Sequence, residues 1–371
     1  MKIEPFEMER MQSTWENLVE YDMSESGIRA VTLNELVEMG FDLNKALDIP
    51  LGYTQSNGTI ELRQHLSSHY PGCSIENIEV TNGTSEANYI LCLVLLNSED
   101  EIALEIPNYM QLLGIPKSLG AKVNTFSLDF ENNWEPNWEE FENAVTPRTK
   151  LVYISNPNNP TGSVLTEQAM IKIVERCEKM DAYLLADEVY LGAERDQNRT
   201  KSFWGMSNRV IVTSGLSKAY GIPGIRIGWI VGNRTIVNEC WSQHDYITIG
   251  PNKLSDLMTR TAVKKENRDR LYDRTRRILK VNYPIMTRWI DRFKGFFSHN
   301  PPDAGAFCFL KYAADIPSLE ICKNILENQS TLIVPGIHLG MEGFLRIWMG
   351  GKEDFLREGL RRIGIEIDKL R

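Results

Sequence analysis

No stretch of this 371-residue chain stays apolar for long. The longest such run, Ile90–Leu96, falls far short of the ~20 residues that a membrane-crossing helix needs. The first nine residues carry three glutamates and no apolar segment, so no signal peptide is expected there. Cysteines are few. Cys73, Cys92, Cys177, Cys240, Cys308 and Cys322 are scattered, with no C-x-x-C pair, and read as reduced, mostly buried thiols rather than a disulfide framework. Histidine is rarer still, with five in all. His65 and His69 share a helix face, but Leu66 stands where H-E-x-x-H has its glutamate, and no third ligand presents itself. They read as surface histidines, and no metal is expected. Cations are outnumbered: Lys plus Arg is 41 against 50 for Asp plus Glu, a formal charge of −9. That balance disfavours nucleic acid or an anionic membrane as a partner, since both demand a positive field. It leaves room for a local basic pocket. A soluble, cytoplasmic protein is the expectation.

What is present is ordinary globular composition, 42% apolar and 25% charged, without repeats or low-complexity tracts. Residues 1–40 read as helical, with a turn at residues 24–27. Short apolar segments then alternate with helix-length amphipathic ones. The strand candidates are 78–81, 101–105, 122–126, 151–155, 183–187, 210–214 and 227–231; a helix such as 167–179 lies between many of them. Such alternation means a mostly parallel sheet with helices on both faces. Beyond about residue 240 the texture changes. A long helical run rich in Arg and Lys covers 238–286, broken near Gly250-Pro251, and its cations (Lys264 to Arg277) read as a solvated face. Strands at 307–311, 331–335 and 344–349 and a closing helix from Lys352 follow. The expected division is a large domain at 41–240 and a smaller α+β domain formed by 1–40 and 241–371.

In parallel sheets, ligands sit beyond the carboxyl ends of the strands. Four motifs fall there. L-V-Y-I-S-N-P-N-N-P-T-G (151–162) runs a buried strand into a rigid Asn-Pro loop. Y-L-L-A-D-E-V-Y (183–190) ends a strand on Asp187, a carboxylate that needs a partner if buried. V-I-V-T-S-G-L-S-K-A-Y-G-I-P-G-I-R (210–226) places Lys218 after a strand and Arg226 eight residues on. A lysine there can be desolvated and its pKa lowered, which makes it a nucleophile and base. Arg226 suits a phosphate. V-T-N-G-T-S-E-A-N (80–88) opens a helix whose free N–H groups, with Thr84 and Ser85, can hold an anion.

These four motifs, in this order, resemble the class I/II aminotransferases, enzymes of PLP fold type I. The resemblance runs from about Tyr53 to Arg346. It implies a large, mostly parallel sheet domain, a smaller α+β domain and pyridoxal 5′-phosphate (PLP) as cofactor. Lys218 would form the Schiff base with PLP and then take the substrate Cα proton. Asp187 would pair with the ring nitrogen, and Asn159 and Tyr190 with the ring oxygen. Tyr109 would stack on the ring. Thr84, Ser85, Ser217 and Arg226 would hold the phosphate. Tyr53 would reach a neighbouring subunit's phosphate, which implies a homodimer with shared sites. Arg346 would fork the substrate carboxylate. The chain departs from the family at Gly215, where Ser or Thr is usual three residues before the lysine. One phosphate hydroxyl is therefore missing or supplied from elsewhere.

A narrower resemblance is to hydroxyarginine cyclodehydratases of the capreomycidine synthase type. It rests on 21–36, on 215–229 with H-D-Y-I-T-I (244–249), and on L-I-V-P-G-I-H-L-G (332–340). It implies an external aldimine, Cα deprotonation, loss of a side-chain hydroxyl and closure of a guanidino ring. A guanidinium needs acceptors, and Glu9, with Glu25, Ser26 and Gly27 in the 24–27 turn, is the candidate set. The alternative is an ordinary L-amino acid aminotransferase with a 2-oxo acid acceptor. A ligand-responsive regulator is set aside, because no DNA-binding domain fits before Tyr53.

Overall fold

The computed structural model describes residues 2–196 and 200–371. All seven strand candidates between 78 and 231 join one eight-stranded sheet, completed by a short edge strand, Glu135–Pro136. From one edge the order is Ile78–Thr81, Gly228–Val231, Val210–Gly215, Tyr183–Asp187, Thr149–Ser155, Glu101–Ile106, Lys122–Asp129 and Glu135–Pro136. The central pairings are parallel, and the pairs at both ends are antiparallel. The central strands are buried on both faces, as a parallel sheet requires. Helix Thr84–Leu95 covers one face with Ile90 and Leu91, joined by Ile236 and Cys240 of Arg234–His244. Helix Glu167–Lys179, capped by Thr166, sends Met170, Ile173 and Val174 into the main core.

A second, four-stranded antiparallel sheet is built from Phe297–Ser298, Phe307–Tyr312, Phe344–Trp348 and Val334–Pro335. Here the structure departs from the sequence reading. The expected strand 331–335 is split at Ile333. Thr331–Leu332 pairs in parallel with Tyr21–Asp22, while Val334–Pro335 pairs with Phe344–Trp348. Pro335 has no N–H to give, which suits its place at the sheet edge. Residues 1–40 hold two short helices, Glu7–Trp15 and Leu33–Glu38, and between them Met23, Ser24, Ser26 and Ile28 are buried.

The 238–286 run is three helices: Arg234–His244, Lys253–Ala262 and Lys265–Arg292. Its cationic face is not wholly solvated. Arg274 is buried, with Nε on Glu35 and its other nitrogens on the Arg29 and Ala30 carbonyls. Arg276 pairs with buried Glu194. Acceptors of this kind offset the cost of burying a guanidinium. His69 is half-buried rather than free at the surface. Its Nε2 shares a 2.8 Å hydrogen bond with the Val263 carbonyl, and burial lowers its pKa to about 4.

Candidate functional site

Three neighbouring strands end together, with Ser155, Asp187 and Thr213 in register. The chain turns that follow enclose a cavity of about 420 Å³ at this carboxyl end of the sheet. Asp187 lines it, only 6% exposed. Its Oδ1 accepts from the Val189 N–H at 3.0 Å, and its Oδ2 from the Tyr153 hydroxyl at 3.4 Å. Among the described residues no salt bridge reaches it. Burial pushes its pKa up to about 6 despite these bonds. A buried carboxyl in that state is a ready partner for a cationic group.

Lys218 lines the same cavity as Asp187, its side chain 25% exposed. Its Nζ donates to Ser26 Oγ at 2.7 Å and lies 3.5 Å from Glu25 Oε1. The sequence reading expects desolvation to lower this lysine's pKa, and the structure corrects that. Burial is the largest single influence and pulls it down, but Glu25, Tyr190 and Glu9 together outweigh it, and the pKa is raised. The reciprocal effect is strong: Lys218 holds Glu25 down at about 2, helped by N–H donors from Gly27 and Ser26. Gly27 is glycine for lack of room. A Cβ there would lie 2.9 Å from the Ser217 carbonyl and 3.5 Å from Lys218 Cδ. Buried Tyr190 packs edge-on against Phe307 and lines the cavity beside Ser26.

At one end, the N-terminus of Thr84–Leu95 meets Arg226, and Thr84, Ser85, Ser217 and Arg226 all line the wall. Three glycines let the backbones close in. Gly83 has φ +93°, and a Cβ on it would strike the Arg226 guanidinium. A Cβ on Gly228 would lie 2.5 Å from Thr84 N, and one on Gly215 2.7 Å from Thr84 Oγ1. The Thr84 hydroxyl is buried without a partner. Free N–H groups, a hydroxyl and a guanidinium converging at a helix N-terminus make an anion cradle.

At the other end stands helix Glu7–Trp15. Tyr109, on the wall, donates its hydroxyl to Glu9 Oε1 at 2.8 Å, with Phe6 packed edge-on against its ring. Asn159 also lines the cavity. Its Oδ1 accepts from Arg346 Nη1 at 2.9 Å, and Arg346 Nη2 donates to the Ser24 carbonyl at 2.6 Å. Arg346 is fully buried, just behind the wall, and its Nε has no partner. Tyr53 is not brought to this cavity. It is 89% exposed.

Sequence reasoning missed several wall residues: Gln12, Glu16, Asn88 and Ser155. Gln12 and Glu16 follow Glu9 at three and seven residues, the spacing of one helix face, which could have flagged them. Asn88 sits one turn beyond Thr84 in a quoted motif. Tyr153 alternates with Ser155 along a strand wholly buried there, and nothing marked it.

The sequence profile of the family described as aminotransferase class I and II matches residues 32–363. A capreomycidine synthase from Streptomyces vinaceus is 27% identical over 363 residues, covering 93% of this chain and 89% of its own. Among solved structures, a PLP-dependent aminotransferase from Streptococcus suis superposes with a TM-score of 0.93 at 30% identity, covering 100% of this chain and 99% of that one. A PLP-dependent cyclase, OrfR, shares the fold with a TM-score of 0.89 at 23% identity, covering 100% and 98%.

Proposed function

This chain belongs to the aminotransferase class I and II family, and on that premise we propose that it is a cyclodehydratase, converting a hydroxylated L-arginine into a cyclic guanidino amino acid. It is a PLP-dependent enzyme. The cavity fits that cofactor on two counts. The buried Asp187 carboxyl awaits a cation, and the cradle around Thr84, with its unpartnered hydroxyl, suits a phosphate. In this reading Lys218 would hold the aldehyde carbon and Asp187 the ring nitrogen. Asn159 and Tyr190 would hold the ring oxygen, and Tyr109 the ring face. Thr84, Ser85, Ser217 and Arg226 would hold the phosphate. When bound, the cofactor supplies an electron-poor ring that stabilises negative charge at the substrate Cα.

The chain's own residues do the rest. Arg346 binds the substrate carboxylate, held in orientation by Asn159 and the Ser24 carbonyl. Lys218 Nζ takes the Cα proton. The observation that carries the choice of substrate is the acidic wall: Glu9, Glu16 and Glu25 line the cavity that holds Lys218. Burial, and then repulsion from Asp22, Glu25 and Glu9, raises the Glu16 pKa, a crowding that a cationic side chain would relieve. A guanidinium, planar and multiply donating, matches acceptors from two directions. The net reaction needs no oxidant. The side-chain hydroxyl leaves as water, taking one proton, and a guanidino nitrogen gives up a proton as it forms the ring C–N bond.

The second reading, an ordinary aminotransferase, is favoured by the likeness to the Streptococcus suis enzyme. The two separate cleanly. Purified enzyme is incubated with hydroxylated arginine and no 2-oxo acid. Ring product over many turnovers supports the cyclase; a single stoichiometric turnover that resumes only with a 2-oxo acid overturns it. The cofactor assignment has its own check, since Lys218→Ala must abolish the visible absorption band.

The functional unit in this proposal is a homodimer. Leu47, Leu51, Tyr53 and Tyr246 are large apolar side chains left 75%, 82%, 89% and 88% exposed, which a second copy would cover. A large domain at 41–240, a small one from 1–40 and 241–371, and a cytoplasmic location complete it. No helix among the described residues is long and apolar enough to cross a membrane.

A further inference from the structure

Asp187 and Glu188 are consecutive, yet they serve different spaces. Asp187 lines the catalytic cavity, and Glu188 lines a second one. The Glu188 N–H donates to the Thr213 carbonyl at 2.8 Å, so the sheet's alternation continues past the strand end and turns the two side chains to opposite faces. Ser214, on the next strand, joins Glu188 there. This second cavity holds about 420 Å³, as much as the catalytic one.

Its floor carries an open acceptor. Glu188 is 1% exposed. Its Oε1 accepts from the Phe203 N–H at 2.7 Å and from the Ser202 hydroxyl at 3.0 Å, but its Oε2 has no partner. Among the described residues no other carboxyl lines the cavity, and burial pushes the Glu188 pKa up to about 8. An unpartnered carboxyl oxygen at this depth is costly, and a cation is the partner that relieves it most.

The walls are aromatic. Tyr70, Tyr220, Trp229 and Tyr272 line them, with the Tyr220 ring 5.0 Å from Tyr272 and 6.2 Å from Trp229. One carboxyl among rings is a poor cage for a metal ion, which takes several oxygen ligands. It suits an organic cation on an apolar stem. Toward the mouth the charge reverses. Lys265 and Arg268 line it there, their side chains 78% and 12% exposed, and Arg268 reaches Asp269 only at 3.4 Å. His69 beside them is uncharged at neutral pH, since burial holds its pKa at about 4.

We propose that this cavity is a second ligand site, for a small molecule with an amino or guanidino group at one end and a carboxylate at the other. The cation pairs with Glu188 Oε2 between the aromatic walls, and the carboxylate meets Arg268 and Lys265.

The probe is 4-guanidinobutyrate, titrated calorimetrically into holoenzyme; it has no α-amino group to react at the catalytic site. Glu188→Gln keeps the Oε1 acceptor but removes the charge, and should weaken binding about tenfold to a hundredfold. Arg268→Gln should weaken it about tenfold. Butylguanidine, which lacks the carboxylate, should bind the native protein and Arg268→Gln equally. Melting temperatures check the fold of each variant, and if Glu188→Gln does not fold, Arg268→Gln and the butylguanidine comparison decide. Binding that neither substitution moves takes place elsewhere and overturns the site, as does the absence of binding at millimolar probe. These outcomes are independent of the cofactor reading.

Discussion

Lys218 Nζ donates a 2.7 Å hydrogen bond to Ser26 Oγ, joining residues 192 apart in sequence. The same segment puts Glu25 Oε1 3.5 Å from that nitrogen. A general base is most useful when its pKa lies near the working pH, and here the chain holds the free lysine protonated. Neutralising the carboxylate should release it. Glu25→Gln is expected to lower the Lys218 pKa, because burial then meets only the weaker opposition of Tyr190 and Glu9. The readout is the pH midpoint for labelling Lys218 in cofactor-free protein, followed by mass spectrometry; an unmoved midpoint refutes the coupling.

Asp187 carries the opposite burden. Its pKa is raised by burial to about 6. A raised folded-state pKa adds stability at low pH, and that stability is lost as pH climbs from the unfolded value, near 4, to about 6. Cofactor-free protein should therefore be less stable at pH 7 than at pH 5 on this group's account. Asp187→Asn should remove that slope and raise Tm at pH 7. It should also cut kcat at least ~100-fold, the consequence of losing ~3 kcal/mol of charge stabilisation. Melting curves and steady-state rates on one preparation test both halves.

His244 lies in a buried cluster at the foot of its helix. Its Nδ1 is 2.8 Å from Glu79 Oε1, and its Nε2 is 2.9 Å from Thr248 Oγ1 and 3.2 Å from Glu86 Oε2. Burial alone would lower its pKa, but the bonds and charges of Glu79 and Glu86 hold it up at about 9. The stability this contributes is complete below about 6.5 and is lost as pH rises through about 9. His244→Gln, which keeps a hydrogen-bonding side chain without the charge, should lower Tm by ~2–4 °C at pH 6. It should converge on the native protein at pH 9.5. Equal losses at both pH values would show that packing, not charge, accounts for the effect.

Leu51→Glu tests the proposed homodimer. Leu51 is 82% exposed, so the change costs the single chain little. In sedimentation the native protein should run at twice the 42.5 kDa chain mass, and the variant should shift toward one chain. A native protein that already sediments as one chain refutes the homodimer.

Much of this was readable in advance, for a definite reason. Asp187 ends an apolar strand, and Lys218 and Asn159 stand just beyond the ends of two others, so local pattern alone puts them at the carboxyl end of the sheet. Helix Glu167–Lys179 and strand Tyr183–Asp187 begin and end where period and caps suggest. What escaped depends on distant partners. The split at Ile333 requires knowing that Tyr21–Asp22 takes the Thr331–Leu332 half. The burial of Arg274 needs Glu35 and two carbonyls from 29 and 30. The state of Lys218 hinges on Glu25, and no local spacing reports a charge 193 residues away.

The parallel pairing of Tyr21–Asp22 with Thr331–Leu332 has a temporal side. The turn that holds Lys218 and Arg346 follows directly on Tyr21–Asp22, and its anchor is synthesised some 310 residues later. On a translating ribosome Tyr21–Asp22 must wait without its strand partner while the eight-stranded sheet is made. Loop closure over such a length costs only a few kcal/mol more than over a short one, so the delay is kinetic rather than thermodynamic. The pocket is thus finished late: the strand that anchors the 24–27 turn, and the arginine that takes the Ser24 carbonyl, are both supplied by the far end of the polypeptide.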